Sequence, residues 1–208
     1  KVRIQRKRRE RRLMTESIVG IILMACSYFI GCISPATIVA KANGIDIRKE
    51  GSGNPGTTNV LRTLGKKAAA VTLIIDILKG AVPVIIGAFA GPVFAFGCGT
   101  MAMIGHVWPF QFKFKGGKGV ATGIGVVLAV NPILGLMLLV IFAAVVAITR
   151  YVSLGSCIAA FVMPALAIVL VPDFFWFAVI IAAIIIIKHR ANLARIVRGE
   201  ESKLSFSK

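Results

Sequence analysis

Apolar runs of membrane-spanning length recur along this chain, and a run of that kind cannot be buried in a small water-soluble core. A bilayer core takes ~20 apolar residues to cross as a helix. Such runs occupy 17–40, 68–90, 93–109, 119–149, 154–171 and 174–187. The first is interrupted at Gly31 and Pro35. The fourth is too long for one crossing and breaks at Asn131-Pro132, giving a short span followed by a full one. Gly91-Pro92 and Pro172-Asp173 are the other tight turns. With 57% hydrophobic residues and a mean hydropathy of +0.87, the chain reads as all-α, a polytopic membrane bundle of seven transmembrane helices.

Seven crossings assign sides. The polar regions around Gly51, Gly116, Arg150 and Lys188 fall on one side, and the turns at 90–92, 130–132 and 171–173 on the other. Every Lys or Arg after Met14 lies on or near the first side, except Lys79. The positive-inside rule therefore expects the four polar regions and the C-terminus in the cytoplasm and the N-terminus outside. Fusing the fourth and fifth spans would send the last two basic regions outward, which favours seven over six. The net charge of +17 does not point to nucleic acid, because the basic residues sit between spans, where anionic substrates and membrane lipid explain them.

The stretch KVRIQRKRRERRL, residues 1–13, carries eight basic residues and contradicts an outside N-terminus. It is expected to be a leader that is disordered or not native, with Met14 as the start and 14–208 as a single membrane-embedded domain. No cleavable signal peptide is evident. The four cysteines stand singly in apolar segments, and with two histidines the sequence suggests neither a disulfide framework nor a metal site. No cofactor is expected.

The first polar region contains GSGNPGTTNVLR, residues 51–62. Glycines at 51, 53 and 56 allow left-handed backbone and bring amide N–H groups close to a ligand. Thr57 or Thr58 can cap a short helix, TTNVLRTL, that Gly65 closes, with Asn59 and Arg62 three apart on one face. N–H groups feeding a helix start beside Ser52, Asn54, Thr58, Asn59 and Arg62 suit a phosphate. A solvated turn has the same composition. In the second region, Gly116-Gly117-Lys118-Gly119 sets a lysine among glycines before a helix. It lacks the spacing and hydroxyl of G-x-x-x-x-G-K-[ST], so nucleotide hydrolysis is unsupported. Such a lysine serves a phosphate, a lipid head group or topology equally well. Arg150 with Ser153 forms the third polar site. In the fourth, His189 and Asn192 share a helical face, ringed by Arg190, Arg195 and Arg198.

Asp76 and Lys79, three apart and about 17 Å along from Ala68 at helical rise, are expected to pair inside the bundle. Neither histidine has an aspartate five positions later: His106 meets Gln111 and His189 meets Ala194. That excludes acyltransferases built on such a His–Asp base. The absence of paired loop carboxylates argues against a transferase that binds a metal diphosphate. The polar loops hold donors and no strong base.

In this light the residues resemble the bacterial membrane acyl-phosphate:glycerol-3-phosphate acyltransferases. The similarity runs in order through GSGNPGTTNVLRTLGKKAA, DILKG, GHVWPFQFKFKGGKGVATG, RYVS and HRANLARIVRGEE, across nearly the whole chain after Met14. The resemblance implies an enzyme that moves a fatty acyl group from acyl phosphate to the 1-hydroxyl of glycerol 3-phosphate, releasing lysophosphatidic acid and phosphate. It implies that Ser52, Gly53, Asn54, Asn59 and Arg62 form a phosphate loop, joined by Gly51, Gly56, Thr58, Gly117, Lys118 and Gly119. Ser153, His189 and Asn192 would complete the catalytic pocket with Ser52, Arg62 and Lys118. A mixed anhydride is already activated, so alignment and charge stabilisation suffice, and no acyl-enzyme is expected. The rival readings are a carrier for an anionic solute, which would need polar groups at the midplane and on both faces, and a head-group binder without turnover.

Overall fold

In the computed structural model, residues 2–204 are described, without the side chains of 2–4, 7, 8, 11 and 12. The described chain is helical with short connections: α1 (Val2–Cys32), α2 (Pro35–Ala42), α3 (Thr57–Leu64), α4 (Lys66–Gly87), α5 (Pro92–Val107), α6 (Val120–Val130), α7 (Pro132–Thr149), α8 (Val152–Leu170), α9 (Phe175–Lys188) and α10 (Arg190–Val197). Five stretches are long and apolar enough to cross a membrane: Leu13–Ala42, Lys66–Ala90, Pro92–Phe112, Pro132–Thr149 and Val152–Leu170. α9 qualifies only together with α10, across a 52° bend, and α6 is shorter than a bilayer core is thick. The seven apolar helices are therefore those expected, while the number of full crossings is five or six. The turns have local causes. Asn131 caps α7 by accepting the Leu134 N–H at 2.9 Å, with Pro132 in the first turn, and Ser34 with Pro35 starts α2 the same way.

Most of the basic stretch, from Val2 on, is helical. α1 runs back through it to Val2, because Arg, Lys, Gln and Glu are good helix formers and need only extend an existing helix. Arg6 pairs with Glu10 at 2.9 Å one turn on.

Close helix contacts rest on glycine. Gly31 of α1 meets the Ala102 carbonyl and Gly105 of α5 meets that of Tyr28, so α1 and α5 touch through backbone. Gly80 and Gly125 do the same for α4 and α6, against Thr122 and Ile77. Small residues let helices approach where lipid offers no hydrophobic drive between them. The main core joins α5 to α9 around Met103, Val126, Leu134, Met163, Phe174 and Ile181. A small second core of Ala36, Ala40, Ile47, Val60 and Ala69 seats α3 on α2 and α4. Outward, Ile74, Val140, Phe161 and Val169 are exposed, as a lipid-facing surface requires. Trp176 stands at one end of the bundle and Phe110 and Phe114 at the other.

The expected Asp76–Lys79 pair forms at 2.7 Å, both side chains almost fully buried. A third member is His106 of α5, whose Nδ1 lies 3.3 Å from the same Asp76 oxygen. Lys79 also donates to the Ile33 carbonyl at 2.6 Å, and Gln111 to that of Cys32 at 2.5 Å, so side chains satisfy the backbone where α1 breaks from α2. Removing one member of a buried ionic cluster strands the others. Asp76→Ala is expected to lose about 3–5 kcal/mol of stability, read as a large fall in the thermal midpoint of the detergent-solubilised protein, while Asp76→Leu with Lys79→Met loses less.

Candidate active site

Asn59 is the residue that shapes the first polar loop. It is buried in α3, and its side-chain oxygen accepts the Ser52 N–H at 2.9 Å. Its amide nitrogen donates to the carbonyls of Glu50 at 2.9 Å and Ile47 at 3.2 Å. The Gly53 N–H goes to Glu50 and the Gly56 N–H to Asn54, both at 2.9 Å. Three amides expected to face a ligand are therefore spent inside the loop. Gly51 and Gly53 have φ of 55° and 68°, which this tight path requires. Gly56, not a threonine, occupies the cap position in extended conformation, and α3 begins at Thr57. The Thr57 and Thr58 amides lie in that first turn, where a helix has no partner of its own for its N–H groups. Asn59 and Arg62 do not act together: Asn59 turns into the loop, and Arg62 donates to the Ser202 carbonyl at 3.2 Å.

The glycines before Lys118 serve packing first. Gly116 N–H donates to Val107 and Gly117 N–H to His106, both at 3.1 Å, satisfying carbonyls at the end of α5. A side chain on Gly117 would strike the His106 ring. Gly119, with φ of 80°, then turns the chain into α6. The result points Lys118 at α10, where its Nζ donates to Asn192 Oδ1 at 2.5 Å.

A carboxylate completes the cluster. Glu201 Oε1 accepts from Asn192 Nδ2 at 2.6 Å and from Ser153 Oγ at 3.0 Å, and Oε2 accepts from Arg195 Nε at 2.8 Å. Glu201 lies outside the donor set expected from the sequence, because an acid in a basic tail reads as solvated. Burial alone would raise its pKa, but the bonds from Asn192, Arg195 and Ser153 outweigh burial and hold the carboxyl below its ordinary range. Burial also brings Lys118 down to about 8, against the pull of Glu201. His189 Nδ1 lies 2.7 Å from the Ile185 carbonyl, so Nδ1 carries the proton of that bond and Nε2 is the ring atom free for a ligand. The tail is held across the cup by Leu204 N–H on the Arg150 carbonyl at 2.8 Å.

These groups line one cavity of about 890 Å³. Of the residues singled out in the sequence, Gly51, Ser52, Asn54, Thr58, Arg62, Lys118, Gly119, Ser153, His189 and Asn192 are on its wall. Gly53, Gly56, Asn59 and Gly117 are not; they shape the loops behind it. Asp76 and His106 reach the wall as well, so the structure brings a histidine and an aspartate together across two helices where no sequence spacing announced it. Below the polar cup the wall is apolar: Leu73 and Ile77 of α4, Val120, Ile124 and Leu128 of α6, Leu139 and Phe142 of α7. Among the described residues no group of three or more His, Cys, Asp or Glu side chains is arranged to hold a metal ion.

These features define a multi-pass membrane bundle whose cavity joins a cationic cup to an apolar wall. The family model described as glycerol-3-phosphate acyltransferase matches residues 21–199, and the chain belongs to that family. It is 44% identical over 194 residues to the glycerol-3-phosphate acyltransferase of Thermoanaerobacter sp. (strain X514), covering 89% of this chain and 96% of that protein. With that of Clostridioides difficile (strain 630) it shares 45% over 197 residues, covering 90% and 97%. Its fold is similar to the crystal structure of PlsY (YgiH), an integral membrane glycerol 3-phosphate acyltransferase, with a TM-score of 0.86 to the glycerol 3-phosphate form and 0.84 to the lysophosphatidic acid form. Identity there is 35%, over 90% of this chain and 96% of that one.

Because Asn59 holds the loop, Asn59→Ala should free the Ser52 amide without unfolding the bundle. Loss of about 1.5 kcal/mol of local protection corresponds to roughly tenfold faster hydrogen exchange at Ser52, with exchange in α5 and α6 unchanged.

Proposed function

We propose that this chain transfers a fatty acyl group from acyl phosphate to the 1-hydroxyl of glycerol 3-phosphate, yielding lysophosphatidic acid and inorganic phosphate, the first step of phospholipid synthesis. The observation that carries the reading is the single cavity in which Lys118, Arg62 and Ser52 meet Ser153, His189 and Asn192 above an apolar wall. Two phosphates and an acyl chain need that combination. The cation Lys118, the guanidinium of Arg62 and the amides and hydroxyls at Thr57 and Thr58 neutralise and orient the phosphates. Ser153, Asn192 and His189 Nε2 align the glycerol hydroxyls.

The hydroxyl oxygen attacks the acyl carbonyl carbon, the mixed-anhydride C–O bond breaks, and the departing phosphate takes the hydroxyl proton. Glu201 is a poor candidate for the base, since three donors hold its charge and depress its proton affinity. Instead it orients the Asn192 amide, whose oxygen faces Lys118. No covalent acyl-enzyme is required. The concentration of Lys and Arg beside the cup supports a cytoplasmic site and C-terminus, an N-terminus outside, and residence in the bacterial cell membrane. Residues 14–208 act as one membrane-embedded acyltransferase domain in this reading.

Purified protein given acyl phosphate and glycerol 3-phosphate should release phosphate and lysophosphatidic acid in equal amounts. Binding without phosphate release, or a trapped labelled acyl-enzyme, would overturn the reaction or its mechanism respectively. Lys118→Ala and Asn192→Ala should each abolish turnover while the proteins insert and elute as the parent does; near-normal rates in both would refute the site. Since Lys118 loses its charge above about pH 8, kcat/KM for glycerol 3-phosphate should fall with rising pH, approaching about tenfold per unit. A profile flat to pH 9.5 would remove Lys118 from binding.

A further inference from the structure

Gly123, in the second turn of α6, has no side chain for any reason that packing supplies. Every other glycine inside a described helix has a neighbour within 3.0 Å of where a Cβ would stand, as Gly80 and Gly125 do against backbone. At Gly123 the nearest atoms are Ile185 Cδ1 at 3.6 Å and Ile181 Cγ2 and Met103 Sδ at 3.8 Å, ordinary contact distances. Its backbone is helical and its N–H makes the normal bond to Gly119 at 2.7 Å, so no left-handed conformation demands glycine either. Glycine is a poor helix former, and a side chain here would improve the helix. The space it would fill is a second, apolar cavity of about 50 Å³ between α6, α7, α8 and α9. At ~10–15 Å³ per water-sized occupant, that is room for roughly four such groups, the end of a chain and not its whole length.

The second cavity adjoins the first: Val120, Ile124, Leu139, Phe142 and Ser156 form walls of both. It extends along α6 to Val127, about 11 Å at helical rise from Val120, where the helix begins just after Lys118. A substrate anchored by its phosphate in the cup therefore has a partly open apolar space ahead of its tail. We propose that this space receives the methyl end of the donor's acyl chain, and that Gly123 sets the chain length the enzyme accepts. The proposal rests on the acyl-transfer reading above.

The test compares the parent with Gly123→Ala and Gly123→Leu on acyl phosphates from octanoyl to stearoyl, measuring phosphate release with glycerol 3-phosphate. Gly123→Leu should lower kcat/KM at least tenfold for palmitoyl phosphate and at most twofold for octanoyl phosphate, with KM for glycerol 3-phosphate within twofold of the parent. Gly123→Ala should move the same ratio about threefold. An unchanged length profile, or a loss equal at all lengths in protein that elutes as the parent does, overturns the proposal. If Gly123→Leu does not fold, the Ala variant decides, and no shift in its ratio overturns it. A parent that releases no phosphate at any length refutes the acyl-transfer reading itself; an active parent with indifferent variants refutes only the role of Gly123.

Discussion

Asp76 is the point at which the architecture is tied. A charge at the centre of a membrane helix costs ~2.5–3.5 kcal/mol on insertion scales, and here Asp76 is tolerable because Lys79 and His106 converge on one of its oxygens. Each partner carries a second duty. Lys79 satisfies the carbonyl at the break between α1 and α2, which lets the chain stop one helix and restart another at membrane depth. His106 lends its carbonyl to the loop of Lys118 and its ring to the space that Gly117 leaves open. A single ionic knot thus fixes α1, α4 and α5 and delivers the lysine that faces α10.

The helices were legible because their signals are local. Apolar length, the Asn131-Pro132 and Ser34-Pro35 starts, and the Gly91-Pro92 turn need no knowledge of the rest of the chain. The gathering of Ser52, Lys118, Ser153 and Asn192 was legible too, since alternating crossings leave little freedom over which loops share a side. What stayed hidden depends on contacts between distant residues. Asn59 looks like a ligand until its three bonds to the loop are seen, and Gly116 and Gly117 look like a phosphate cradle until their N–H groups are found capping α5. The Asp76–His106 contact crosses two helices and has no sequence period. Glu201 was hidden by composition, one of two adjacent acids among several basic residues.

The glycines divide by what fills the space their missing side chains leave. Some let the backbone of another helix or loop come into contact, some make room for a neighbouring side chain, and others turn the chain. Gly123 does none of these. Position along the sequence could not separate these uses, because a glycine in an apolar helix looks the same whether protein or ligand lies opposite it.

The cup is also assembled late. Ser52, Arg62 and Lys118 belong to the first 118 residues, yet the carboxylate that orders Asn192 and Ser153, and the strand of tail that lies against Arg62 and Arg150, come from 199–204. Synthesis runs from the N-terminus, so earlier segments leave the ribosome before later ones. A nascent polypeptide can therefore thread its hydrophobic segments into the bilayer before residues 199–204, which fold over the cup, have been made.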